Sequence, residues 1–247
     1  MGKGIIWKML KISILYDNRS KSRRFTYGWG FSCLIEGLEH NILFDTGARG
    51  DILFFNMEQM GIGLSMLEHV FLSHIHGDHT GGLVSILERK PKVTVWIPDS
   101  FPESAKFDIG SYGARVRAVS KATRLFKNVY STGELGRSPK EQALIIDTEY
   151  GLILITGCAH PGIANIAIKA KNYLNKEIYL ILGGLHLGGY IKKDIEHIIT
   201  LLKDIGVKKI APCHCTGEYA MELLQEEYKE DYIDVAAGSI IQLELSS

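Results

Sequence analysis

Ser73-His74-Ile75-His76-Gly77-Asp78-His79-Thr80-Gly81-Gly82 packs three imidazoles and a carboxylate into one short stretch. The apolar run Val70-Phe71-Leu72 before it reads as a buried strand, and Leu83-Val84-Ser85-Ile86-Leu87 after it reads as a helix. The cluster therefore sits on a loop at a strand's carboxyl end, where α/β sheets hold ligands. Imidazole suits zinc, iron and other transition metals, and a carboxylate adds charge and a harder oxygen donor. Donors this close in sequence cannot all reach one ion. His74 and His76 can serve one, and Asp78 and His79 a second. A solvated polar turn is the bland alternative, but Gly77, Gly81 and Gly82 give this dense loop the backbone freedom a binding loop needs. The stretch reads as a metal site.

Three more histidines occupy equivalent places. His160 lies in Thr156-Gly157-Cys158-Ala159-His160-Pro161-Gly162, after the apolar strand Leu152 to Ile155. His186 follows the strand Ile178 to Ile181, in Leu182-Gly183-Gly184-Leu185-His186-Leu187-Gly188-Gly189. His214 lies in Pro212-Cys213-His214-Cys215-Thr216-Gly217, after Lys208-Lys209-Ile210. By contrast, His40 falls in a hairpin turn and His197 on the polar side of a helix, so both read as solvated surface. His69 starts the strand before the motif, where a capping or surface role is expected.

With these residues the chain resembles the metallo-β-lactamase superfamily. His74-x-His76-x-Asp78-His79 matches its signature, His160 and His214 match its later metal histidines, and Asp45 in Leu43-Phe44-Asp45-Thr46-Gly47 matches an acidic residue that supports a ligand histidine. The resemblance covers nearly the whole chain. It implies a four-layer αββα sandwich with two divalent metal ions at one edge, zinc first, with iron, manganese or magnesium as alternatives. It also implies that His74, His76 and His160 hold one ion and Asp78, His79 and His214 the other. One departure stands out: where most relatives carry an aspartate bridging both metals, this chain offers His186. Neutral imidazole gives one nitrogen to one ion, which leaves Asp78 as the anionic protein ligand and an excess of positive charge that draws an anion. Asp78 and His186 are accordingly the catalytic candidates. Cys158, Cys213 and Cys215 are expected to be small neighbours of the ligands.

Asp17-Asn18-Arg19, the Cys158–His160 loop, Gly183-Gly184-Leu185-His186-Leu187 and Cys213-His214-Cys215-Thr216-Gly217 further resemble one subgroup. It is named for synthases that join a dihydropterin to ribofuranosylaminobenzene phosphate in methanopterin biosynthesis.

The 247 residues suit one domain, 1–247, with no linker-like stretch and with residues 1–8 as a possible extension ahead of the first strand. Net charge is zero, 28 basic against 28 acidic residues, so no nucleic-acid partner is announced. No run is long and apolar enough for a membrane span. The four cysteines do not form a disulfide-scaffold pattern, and the expected location is the cytoplasm. Pattern alone predicts α/β. Strands are expected at Lys11–Asp17, Gly30–Glu36, Asn41–Asp45, Val93–Ile97, Arg124–Tyr130, Gln142–Asp147, Gly151–Ile155, Ile178–Leu182, Lys208–Pro212 and Ile240–Leu243. Helices are expected at Asp51–Met60, Ile163–Leu174, Lys192–Lys203 and Gly217–Gln225. The basic loop from Asn18 to Arg24 offers Asn18 and Arg19 as substrate contacts. Residues 98–115, broken by Pro98, Pro102, Gly110 and Gly113, read as a substrate lid carrying Phe101, Phe107, Tyr112 and Arg115.

Three functions fit this reading. One is the pterin-transferring condensation, with a small anionic substrate held by the metals as Lewis acids. Another is hydrolysis of a phosphoester, lactone or thioester. The third, of another class, is a non-catalytic metal-binding or sensor protein. Oligomeric state is left open by the sequence.

Overall fold

The computed structural model describes residues 8–245, so the expected extension lies outside the described residues except for Lys8, which starts the first strand. In chain order the strands are β1 (Lys8–Tyr16), β2 (Ser32–Glu36), β3 (Ile42–Phe44), β4 (His69–Phe71), β5 (Thr94–Pro98), β6 (Arg115–Val119), β7 (Lys121–Phe126), β8 (Val129–Gly133), β9 (Leu144–Thr148), β10 (Gly151–Thr156), β11 (Ile178–Gly184), β12 (Lys209–Cys213) and β13 (Ile240–Leu245). The helices are α1 (Gly50–Gln59), α2 (Gly77–Thr80), α3 (Leu83–Arg89), α4 (Glu103–Ser111), α5 (Ile163–Leu174), α6 (Lys192–Ile205) and α7 (Glu218–Tyr228). One sheet runs β13-β1-β2-β3-β4-β5-β6 and the other β12-β11-β10-β9-β8-β7.

The alternation of side chains along each strand builds the layers. Ile153 and Ile155 of β10 point into the core between the sheets, while Leu152 and Leu154 point outward against α5, α6 and α7. Likewise Phe44 and Phe71 enter the central core, whereas Leu43 and Val70 meet Leu53 and Met57 of α1 and Ile86 of α3. Strands buried on both faces read as continuous apolar runs, which is why Leu152 to Ile155 could be recognised but not assigned a face. The result is helix, sheet, sheet, helix.

Direction matters most for the site. β3, β4, β5 and β6 run parallel, as do β10, β11 and β12. The loops that leave their carboxyl ends carry Asp45, the His74–His79 cluster, Cys158–His160, His186 and His214. The two sheets are tied at this edge by Gln142, whose Nε2 donates to the Leu72 carbonyl at 2.9 Å and whose backbone N–H donates to the Ser73 carbonyl at 2.9 Å.

Two expectations are corrected. The strand expected over Arg124–Tyr130 is a hairpin, β7 and β8, turning at Asn128 in the left-handed region with φ 62°. Residues 98–115 are regular, the end of β5 leading through α4 to β6. Helix α4 buries Ile109 alone, so it has almost no amphipathic signature to read. Arg115 pairs with Thr94, at the amino-terminal end of β6 and away from the edge that carries the histidine cluster.

At that opposite end His40 and His69 are less solvated than their sequence context suggests. Their rings lie 4.9 Å apart, Phe126 packs on both, and Trp96 Nε1–H donates to His69 Nδ1 at 3.0 Å. Burial first, and the neighbouring His40 second, push His69 down from 6.5 to about 4. A folded value below the unfolded one means that this contribution to stability is complete above the unfolded value and fades as pH falls from about 6.5 to about 4. An NMR titration of the His69 imidazole is expected to give a midpoint near 4; a midpoint at the ordinary value contradicts the packing described.

Candidate metal centre

The imidazoles at the edge are aimed by their far nitrogens. Buried Asp45 takes the Ser73 N–H on Oδ1, and on Oδ2 the Ser73 hydroxyl and His79 Nδ1–H, each at 2.7 Å. The Ser73 hydroxyl is thereby spent on Asp45, so its oxygen accepts His74 Nδ1–H at 2.9 Å. Between the two sheets Asn18 Oδ1, just after β1, accepts His214 Nδ1–H at 3.0 Å. In all three rings the proton on Nδ1 leaves an Nε2 lone pair facing the same space.

Those lone pairs meet. His79 Nε2 and His214 Nε2 are 3.2 Å apart, and Asp78 Oδ2 lies 3.3 Å from His214 Nε2 and 3.5 Å from His79 Nε2. His74 Nε2 lies 3.1 Å from His76 Nδ1, and His160 Nε2 is buried without a hydrogen-bond partner. Two nitrogens on one tetrahedral zinc stand about 3.3 Å apart, given Zn–N bonds of ~2.0–2.1 Å. The donors are spaced as ligands. Acceptors so close need positive charge between them. Burial alone lowers His79, but Asp45 and Asp78 outweigh it and carry the ring up to about 10. One proton there satisfies one acceptor, whereas a cation satisfies Asp78, His79 and His214 together. Asp78 itself is held well below the carboxylate range: burial acts upward, and hydrogen bonds from His214 and His79 prevail. The other group behaves oppositely. Burial and adjoining imidazoles keep His74 deprotonated, and burial with His186 and His76 lowers His160 to about 4.

The sequence profile described as the metallo-beta-lactamase superfamily matches residues 30–162, a segment that carries Asp45, the His74–His79 cluster and His160 of this edge. The chain belongs to that superfamily. A curated relative, 7,8-dihydropterin-6-methyl-4-(beta-D-ribofuranosyl)-aminobenzene-5'-phosphate synthase of Methanocaldococcus jannaschii, is 33% identical over an alignment covering 86% of this chain and 89% of its own length. A solved structure described as a metal-dependent hydrolase of the beta-lactamase superfamily superposes with a TM-score of 0.79 at 29% identity, covering 96% of this chain and all of that one. Human tRNase Z, short form, shares the fold at a TM-score of 0.66 and 13% identity, covering 94% of this chain and 98% of that one.

Within this superfamily member, the loops at this edge are held in costly backbone conformations. Four of the seven described non-glycine residues with positive φ are Asp45, Ala159, His186 and His214, all at this edge. The loop around Ala159 is held by Glu141, a residue the sequence reading passed over. Its buried carboxylate collects the backbone N–H groups of Gly157, Cys158 and Ala159 on Oε1 and of His160 on Oε2, at 2.9 to 3.2 Å. Burial nonetheless raises its pKa, with those hydrogen bonds acting against the rise. No local pattern marks Glu141, because its partners lie 16 to 19 residues on, in the loop after the neighbouring strand β10. Gly157 is needed for close approach, since a Cβ there would stand 2.1 Å from Ser73 Oγ.

Other candidates fall differently. His186 is exposed, its ring 4.4 Å from His160, and its donor groups with Cys158 and Cys215 rather than with Asp78, His79 and His214. Cys158, expected to be a bystander, belongs to both principal donor groups. Cys213 is buried in the central core. Asn18 supports His214, donating Nδ2–H to its carbonyl at 2.9 Å besides taking its ring proton. Asp17 Oδ1 accepts the His214 backbone N–H at 2.8 Å. Arg19 is engaged by Asp234 and the Val235 carbonyl. Asp45→Asn puts an N–H where His79 and Ser73 need an acceptor. It is expected to weaken metal retention by about 10–100-fold in competition with a chelator; unchanged retention contradicts the positioning role assigned to Asp45.

Proposed function

We propose that this chain is a metal-dependent enzyme acting on a small anionic substrate, with His74, His76 and His160 holding one divalent cation and Asp78, His79 and His214 a second. The observation that carries this reading is the convergence of donors: Asp78, His79 and His214 stand 3.2 to 3.5 Å apart, His74 and His76 3.1 Å apart with His160 beside His74, and the tautomers of His74, His79 and His214 are preset. Zinc suits the nitrogen-rich set best, with iron, manganese or magnesium open. When bound, the cations supply Lewis acidity toward a phosphate or pyrophosphate oxygen.

Two clefts flank the donors and suit two halves of a reaction. One, of about 250 Å³, is lined by Asn18, Trp29, His214, Gly217 and Met221. Trp29 is 63% exposed and its ring lies 5.1 Å from that of His214, a face on which a planar heterocycle can stack. The other, of about 500 Å³, is lined by His76, Phe101, Arg137 and Lys140. Lys140 there is paired with Glu134 at 3.0 Å, and the Arg137 guanidinium suits a phosphate. Phe101 is thus the part of the expected lid that borders the site. A stacking wall on one side and a cationic wall on the other favour transfer between two substrates: a dihydropterin-methyl unit leaves pyrophosphate and bonds to the amine nitrogen of ribofuranosylaminobenzene phosphate, which gives up a proton. The similarity to the synthase of M. jannaschii supports the same assignment. Asp45 and Asn18 keep their imidazoles oriented throughout, and Arg137 neutralises the bound phosphate. The second reading, hydrolysis of a phosphoester, lactone or thioester, is favoured by the 29% identical structure described as a hydrolase.

The assay is turnover of metal-quantified protein with hydroxymethyl-dihydropterin pyrophosphate plus ribofuranosylaminobenzene phosphate, beside a panel of phosphodiesters, lactones and thioesters. Condensation without hydrolysis is the expected result, and hydrolysis alone assigns the second reading. Loss of stacking costs about 1–3 kcal/mol. Trp29→Ala is therefore expected to raise KM for the pterin substrate by about ten-fold and to leave KM for the ribofuranosyl phosphate unchanged.

A further inference from the structure

Cys158 stands at the junction of every donor group at this edge. Its Sγ lies 3.2 Å from His79 Nε2. Asp78, His79, Cys158 and His214 offer donor atoms all within 4.8 Å of one another, and so do His74, Cys158 and His160. It is the one residue common to both groups. The thiol is 4% exposed, on a loop whose position is set by the Glu141 carboxylate through the N–H of Cys158 itself at 3.0 Å.

We infer that Cys158 is the bridging ligand of the centre, its thiolate sulfur shared between the cation of His74, His76 and His160 and the cation of Asp78, His79 and His214. The inference rests on the two-cation reading above. The chemistry follows from lone pairs. A bridge needs one atom or group that can bond two ions at once; a thiolate sulfur has several lone pairs, whereas the imidazole of His186 has one. A nitrogen and a sulfur on one tetrahedral zinc lie about 3.6 Å apart, given bonds of ~2.0–2.1 and ~2.3 Å. The 3.2 Å between Cys158 and His79 needs only a small opening to reach that spacing. Binding releases the thiol proton. The sulfur then brings a second negative charge beside that of Asp78, which lowers the net positive charge of the centre. Cys215, whose Sγ lies 3.6 Å from the Cys158 carbonyl, groups with Cys158 and His186 only and belongs to neither cation.

The test is cobalt(II) substitution of the full chain, followed by optical titration. Visible ligand-field bands report cobalt on the histidines; a near-ultraviolet thiolate-to-cobalt band reports sulfur. The expected result is a thiolate band that grows through both cobalt equivalents, survives in Cys213→Ser and Cys215→Ser, and is lost from Cys158→Ser while ligand-field bands remain. Ligand-field bands without a thiolate band in the unmodified protein overturn the bridge but leave the two-cation reading standing. A thiolate band that saturates at one equivalent, that persists in Cys158→Ser, or that vanishes in Cys215→Ser also overturns it. Failure to bind cobalt at all overturns the reading beneath it. The unmodified protein decides the matter even where Cys158→Ser does not fold.

Discussion

The carboxylate of Asp45 is the constraint on which the edge of this molecule depends. A buried carboxylate is costly unless its oxygens are bonded, and here each is taken up by a group that must be oriented. One bond fixes His79 directly. A second, through the Ser73 hydroxyl, fixes His74 one residue on. A single buried charge on β3's exit loop thus presets imidazoles assigned to two different cations. Gly157 closes against the same Ser73 hydroxyl, so the loop from β10 is registered on the loop from β4. The site is then a consequence of parallel strands ending together and of one acid that joins their loops.

The loops of the opposite sheet are held by the same device with different residues. Glu141 gathers consecutive backbone N–H groups of the Gly157–His160 loop, and Asn18 with Asp17 clamps His214 from β1's exit. Side chains that touch no cation in this scheme therefore determine where lone pairs point. Charge follows the same division. The group around Asp78 attracts a proton strongly, while burial and crowding of imidazoles keep His74 and His160 deprotonated. The two positions are unlike electrically as well as in their ligands.

Much of this was legible in the sequence, and the limits are physical. Helix α5 appears with the expected bounds because its buried Ile163, Ile166, Ala167 and Ala170 recur at helical spacing. The histidines could be found because each follows an apolar run into a glycine- or proline-bearing loop. The roles of Asn18 and Cys158 could not, since they arise from contacts across 196 and 79 residues of chain. Helix α4 was hidden by its single buried residue, and the β7–β8 hairpin by a run of residues broken only at Lys127-Asn128. Arg115 looked like a lid cation because nothing local tells which end of a strand it occupies; register with Thr94 does. Arg137 and Lys140, which line the cationic cleft, sit in a polar loop without any distinguishing pattern.

The central claim is that two groups of preset donors converge on two separate cation positions. An anomalous-difference map from crystals of the zinc-loaded protein, recorded across the zinc edge, tests it most directly. Two peaks are predicted, one within bonding distance of His74 Nε2, His76 Nδ1 and His160 Nε2, the other of Asp78 Oδ2, His79 Nε2 and His214 Nε2. A single peak, or zinc bound away from these atoms, would contradict the account.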